Sequence, residues 1–283
     1  MLSVCATPIG NLGDITPRVL EALRVADLIA AEDTRHTRKL LSHFDIHTPL
    51  TSLFQHNEAQ KTEEVLRLLR EGKHVALVAD AGTPAIADPG MRLVAKARDE
   101  GLDIEVLPGP SAMVTAILAA GYEADSFRFV GFLPRRPREL EASLHAWRRC
   151  GGLIVAFQTG PRLAPSLAVL AAGMPDAPAA VCRELTKVHE EVVRGSLREL
   201  SERYCPDGPD GRHTSLRGEI AVVMDLGEPL NDAAAARPHA VAAARELLGR
   251  GLSRRDTAAA LQVCLGLPHR DAEALSRESA EAR

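Results

Sequence analysis

Over the first 126 residues, short apolar runs bounded by turn residues alternate with stretches of helical periodicity. Residues 2–6 read as a buried strand that runs into Thr7-Pro8-Ile9-Gly10-Asn11-Leu12-Gly13-Asp14. Thr16 stands where an N-cap belongs and Pro17 where a first helical residue does, so a helix through Val25 is expected. Residues 28–31 are a second strand leading into Glu32-Asp33-Thr34-Arg35-His36-Thr37-Arg38, and residues 58–71 a helix closed by Gly72. The run 74–79 predicts a strand buried on both faces, followed by the loop Asp80-Ala81-Gly82-Thr83-Pro84-Ala85-Ile86-Ala87-Asp88-Pro89-Gly90. A helix ending near Gly101, a strand at 104–107, the turn Pro108-Gly109-Pro110-Ser111 and a helix to Gly121 complete the half. Strands alternating with helices in this way predict a mostly parallel α/β sheet.

The pattern breaks at Leu133-Pro134-Arg135-Arg136-Pro137-Arg138, where a hinge is expected between domains at 1–133 and 134–226. Strands are expected at 153–157, 179–183, 188–194 and 219–225. The second and third are too close for a crossover helix, which predicts a mixed or antiparallel second sheet. Residues 227–238 read as a linker, and 239–283 as a helical appendage of three short helices broken near 251–253 and 266–268.

Composition narrows the function without naming it. One Trp, two Tyr and six Phe are too few for a sheet that stacks a row of bases, and a net charge of −4 argues against a general polyanion binder. Cys5, Cys150, Cys182, Cys205 and Cys264 are scattered, which suits a reducing cytoplasm and argues against a disulfide framework. The first residues lack a basic, apolar leader pattern and no apolar run reaches spanning length, so a soluble cytoplasmic protein is expected.

Three turns, 7–14, 80–90 and 108–111, lie on the same predicted sheet edge, where α/β proteins bind ligands. Neither G-x-x-x-x-G-K-[ST] nor G-x-G-x-x-G occurs, so the ligand is not held by a common phosphate loop. The block 32–38 gathers acids, a histidine and bases, a pattern shared by catalytic clusters and ordinary helix starts. Asn57, in Gln55-His56-Asn57-Glu58, is placed to cap the next helix. His36, His43 and His47 lack a carboxylate or thiolate at ligand spacing, and no metal is expected.

Six segments then occur in order: 6–16, 31–37, 56–58, 80–84, 108–112 and Arg183-Glu184-Leu185-Thr186-Lys187. Together they resemble the bacterial small-subunit ribosomal RNA (cytidine-2′-O)-methyltransferases of the tetrapyrrole-methylase superfamily, over residues 3–226 and more loosely in the helical tail. The resemblance implies a two-domain fold with S-adenosyl-L-methionine in the cleft and a cytidine ribose of 16S RNA in the small ribosomal subunit as acceptor. It implies cofactor contacts at Pro8, Gly10, Ala81, Gly82, Thr83, Ile86, Ser111 and Ala112, with Phe157 and Gln158 closing the pocket. A homodimer is implied too; no membrane or DNA partner is expected.

A ribose hydroxyl needs a proton acceptor, for which Asp33 or His36 is expected, with Glu32 beside them. RNA contacts are expected at Arg35, Arg38, His56, Asn57 and Lys187, and on the tail at Arg254, Arg255 and Arg270. One departure stands out: where the family commonly has an aromatic, Glu, a small residue, Pro, His and Arg, this chain has Phe157-Gln158-Thr159-Gly160-Pro161-Arg162. A non-catalytic RNA-binding factor on the same fold, or a corrinoid- or porphyrin-type methylase, are the competing readings.

Overall fold

Five strands, β1 (Leu2–Cys5), β2 (Leu28–Ala31), β3 (Leu50–Ser52), β4 (Val75–Val78) and β5 (Ile104–Leu107), form the first sheet in the order β3-β2-β4-β1-β5. The computed structural model describes residues 1–283 apart from 124, 206–215, 217, 230–232, 266, 268 and 282–283. Every pairing in this sheet is parallel. Each connection carries a helix: α1 (Pro17–Val25), α2 (Thr34–His43), α3 (Glu58–Arg70) and α4 (Met91–Asp99). Thr16 caps α1 by accepting from the Val19 N–H, with Pro17 in the first turn, as its sequence predicts. One face buries Val19, Leu23, Ile29 and Ala76, the other Leu66, Leu69, Leu77 and Leu93. Each large side chain among these contributes about 1.5–3 kcal/mol on leaving water.

The second sheet comprises β6 (Phe127–Phe132), β7 (Leu153–Thr159), β8 (Pro178–Arg183), β9 (Glu191–Ser196) and β10 (Glu219–Asp225), ordered β6-β7-β10-β8-β9. β6 runs parallel to β7 and the other pairings are antiparallel, so the sheet is mixed. On one face it carries α6 (Pro137–Cys150), α7 (Gly160–Gly173) and α8 (Leu197–Tyr204) over Leu144, Leu167, Leu200 and Tyr204. The other face packs on α5 (Ala112–Ala120), the helix that follows the last strand of the first sheet, which joins the two sheets into one unit, Met1–Glu228.

Two expectations change here. The sequence pattern does not predict β6, which places the change of sheet before residue 127 rather than at 133. Its alternation is broken by a bulge: Phe129 pairs with Val155 but Phe132 with Phe157, so one extra residue is inserted, next to Gly131 at φ +69°. β9 starts at Glu191 instead of 188, because residues 184–187 make a turn with Glu184 at φ 51° and Thr186 at φ 67°, leaving Val188 exposed.

Residues 229–283 form a second unit of three helices, α9 (Ala233–Gly249), α10 (Arg254–Leu265) and α11 (His269–Glu281), around Ala240, Ala244, Leu261 and Leu275. α9 begins inside the stretch expected to be a linker, because its alanines favour a helix. Gly266 and Pro268, expected to break the last two helices, lie outside the described residues. No helix among the described residues is long and apolar enough to cross a membrane.

Candidate functional site

The site grows from the carboxyl ends of β1, β4 and β5, which the strand order places side by side. Thr7 and Gly82 exchange two backbone hydrogen bonds, each 2.9 Å, tying the turn after β1 to the loop after β4. The Thr7 hydroxyl donates to the Ala79 carbonyl at 3.2 Å. Gly109, in the turn after β5, lies so close to β1 that a Cβ there would sit 3.0 Å from that of Ala6. The 80–90 loop is strained: Ala85 and Ala87 hold φ of 67° and 66°, a conformation that costs a side-chain-bearing residue about 1–2 kcal/mol. Such strain survives where the surroundings fix the backbone, and it concentrates at ligand sites.

Above this edge the second sheet supplies the opposite wall, enclosing a cavity of about 380 Å³. Ala81, Gly82, Thr83, Ile86, Ser111, Ala112, Phe157 and Gln158 all line it, so three separate segments of the chain meet at one place. Ser111 also caps α5, accepting from the Val114 N–H. Pro8 instead lines a smaller adjoining cavity of about 120 Å³, together with His36. Gly10 is in neither wall; it lies against the 185–187 turn, where a Cβ would come within 2.5 Å of Lys187 Cγ.

The cavity is acidic. Glu32, Asp80, Asp88, Glu184 and Glu219 line it, against Lys187 as its only basic side chain among the described residues. Lys187 is paired with Glu184 at 2.9 Å. Burial, and then the neighbouring Glu32, Asp80 and Glu219, push the Asp88 carboxyl up to about 7. Burial also raises Glu32, helped by Asp80 and Asp33. Asp80 is anchored by accepting from the Asp33 N–H at 2.9 Å.

Asp33 itself is not in the wall. Its carboxylate caps α2 through the Arg35 N–H at 2.8 Å and grips the Arg35 guanidinium at 2.7 Å, which holds it far below the usual carboxylate range. The carboxylate so engaged fixes the start of α2 and the Arg35 side chain. Asn57 differs from expectation: its side chain makes no cap, but accepts from Phe54 N–H at 2.8 Å and donates to the Ser52 carbonyl at 3.2 Å, closing its own turn. Arg35, Arg38 and His56 are exposed, as are Arg254, Arg255 and Arg270 on the helical unit.

Gln158, where the family pattern has an acid, is 2% exposed and fully engaged. Its amide donates to Ser166 Oγ at 2.8 Å and accepts from the Thr159 N–H at 2.9 Å. The position therefore serves to brace the wall through both ends of its amide. Asp88, Glu219 and Phe132 join the site without having been expected there. Asp88 stands in a loop the sequence does single out, and an acid at a strand's carboxyl end is the available signal. The others come from the second sheet, whose approach no local pattern reveals.

The model of the tetrapyrrole (corrin/porphyrin) methylases matches residues 1–201. "Ribosomal RNA small subunit methyltransferase I" of Synechocystis is 37% identical over 279 residues, 98% of this chain and 98% of its own length. Its counterpart in Micromonospora olivasterospora is 40% identical over 94% of this chain and 83% of its own, and that of Escherichia coli O157:H7 is 45% identical over 79% and 77%. Among solved structures, uroporphyrin-III-C-methyltransferase from Thermus thermophilus superposes with a TM-score of 0.56 at 21% identity, over 80% of this chain and 94% of its own. A structure of that enzyme complexed with S-adenosylhomocysteine gives 0.55 at 16% identity, over 80% and 97%. The chain belongs to the tetrapyrrole methylases, in the family of the ribosomal RNA small subunit methyltransferases I.

Proposed function

We propose that this protein is an S-adenosyl-L-methionine-dependent methyltransferase acting on the 2′-hydroxyl of a cytidine ribose in 16S RNA of the small ribosomal subunit. The observation that carries the reading is the acidic cavity at the joined turns, in a chain so similar over its whole length to the rRNA methyltransferases. The cavity fits the cofactor on its own chemistry. Its volume of about 380 Å³ is that of a small-molecule site, and its excess of carboxylates over cations complements a sulfonium and an ammonium. When bound, S-adenosylmethionine supplies an electrophilic methyl group. Ala81, Gly82, Thr83 and Ile86 would hold it from the first sheet, Ser111 and Ala112 from α5, and Phe157 and Gln158 from the second.

The chain's own part is positioning and proton transfer. Glu32 and Asp88 share the cavity wall, and the raised Asp88 carboxyl is matched to taking a hydroxyl proton near neutrality. His36 lines the smaller cavity together with Pro8. The exposed Arg35 and Arg38 serve RNA phosphates, as do Arg254, Arg255 and Arg270 on the helical unit. We infer a homodimer for this chain, for which the exposed Val114 and Leu118 of α5 offer an apolar contact. Its free thiols suit the cytoplasm.

The test is transfer of labelled methyl from S-adenosylmethionine to small subunits isolated from a strain without ribose methylation. Label at one alkali-resistant cytidine is expected. Binding of cofactor and subunit without transfer would replace this reading with that of a non-catalytic factor.

A further inference from the structure

Of nine aromatic residues in the chain, three phenylalanines form one ladder, two of which, Phe132 and Phe157, line the cavity. Phe129 and Phe132 both contact Phe157 edge-on, with ring centroids 4.9 and 5.8 Å apart. Regular pleating would send Phe129 and Phe132 to opposite faces of β6, because side chains alternate along a strand. The extra residue at the Gly131 bulge brings both to the face of Phe157, and bulges re-aim side chains in this way beside active sites. A large ring is thus turned into the cavity wall and left 55% exposed, although burying it would be worth about 2 kcal/mol or more. Ile86, from the opposite wall, is the other exposed large apolar side chain lining the cavity among the described residues, at 42%.

We propose that Phe132 is a stacking platform for a nucleobase, that of the acceptor nucleotide drawn out of the RNA stack, with Ile86 facing it. The inference rests on the RNA-methyltransferase reading above. Enzymes that modify a nucleotide inside folded RNA bind unstacked bases against aromatic or apolar side chains. The cofactor carries a base too, an adenine. The exposure of Phe132 favours the acceptor: it stands open to an arriving strand, whereas Phe157 is partly covered by its neighbours.

The experiment compares wild type with Phe132→Leu and Phe132→Tyr, measuring S-adenosylmethionine Kd by calorimetry and KM for unmethylated small subunits. Leu preserves apolar bulk and Tyr restores a ring. The expected result is a KM about tenfold higher in the Leu variant, recovered by Tyr, with cofactor Kd unchanged in both. Equal KM in all three proteins overturns the proposal, as does an equal loss in both variants. A loss confined to cofactor Kd reassigns Phe132 to the adenine and also overturns it. A change in mass by light scattering would do the same, making Phe132 a subunit contact. A wild type that binds subunits without methylating them defeats the RNA-methyltransferase reading instead; the platform is then judged on subunit Kd across the same variants.

Discussion

Replacing Asp88 by Asn should stabilise the protein, and increasingly so as the pH rises from about 4 to about 7. Burial and the carboxylates of Glu32, Asp80 and Glu219 raise this carboxyl from 3.8 to about 7. The native state therefore holds a proton between about pH 4 and pH 7 that the unfolded chain releases. Stability falls with pH wherever the native state binds more protons, so the loss begins near the unfolded value, grows through this window and is complete above about pH 7. A rise of about three units corresponds to a ceiling of about 4 kcal/mol, at about 1.4 kcal/mol each. Asp88 is partly exposed and solvent screens it, which reduces the figure to about 2 kcal/mol. For a unit of this size that is a Tm shift of roughly 4 °C. Calorimetric melts of both proteins from about pH 4.5 to 8.5 provide the assay. The Tm difference should be smallest at the acid end, widen steadily and level off above about pH 7. A difference independent of pH, or an Asn variant less stable than wild type at mildly alkaline pH, would refute the reasoning.

The same carboxyl should make cofactor binding proton-linked: a sulfonium in the cavity favours the ionised form, so binding just below neutral pH should release a fraction of a proton. Calorimetry in buffers of different ionisation enthalpy measures it, and the effect should vanish in Asp88→Asn and in strongly alkaline buffer. Gln158→Ala leaves Ser166 Oγ and the Thr159 N–H without their partner and should cost about 1–3 kcal/mol in denaturant unfolding. Gln158→Glu should cost less, because a carboxylate still accepts from the Thr159 N–H and from the Ser166 hydroxyl. Changing Arg254, Arg255 and Arg270 together to Gln should flatten the salt dependence of subunit binding by about one log–log unit for each phosphate no longer neutralised, while cofactor Kd stays as it was. An unchanged slope would remove the helical unit from the RNA interface.

Much of the first sheet can be read directly, because its signals are local. Thr16-Pro17 opens α1 as a cap must, 75–78 is a buried apolar run, and the three Gly- and Pro-rich turns lie on the edge that the parallel order brings together. The six ordered segments bring the family with them, and through it eight residues that share one cavity. Where local signals conflict, the sequence misleads. Asn57 has the chemistry of an N-cap, yet the Phe54 N–H and Ser52 carbonyl of the preceding turn engage its side chain. Asp33 is as acidic in sequence as Asp88, but one is spent on Arg35 and the other is buried among like charges.

The sequence by itself thus determined most elements of the first half, their parallel pairing and the chemical identity of the turns, since these follow from periodicity and backbone preference within a few residues. Only the tertiary structure decided the rest. The inserted residue beside Gly131 moves Phe132 onto the face of Phe157, a difference of one step in register that no composition reveals. The meeting of Glu32, Asp80, Asp88 and Glu219 joins residues from both sheets, and their charges interact through space irrespective of separation along the chain.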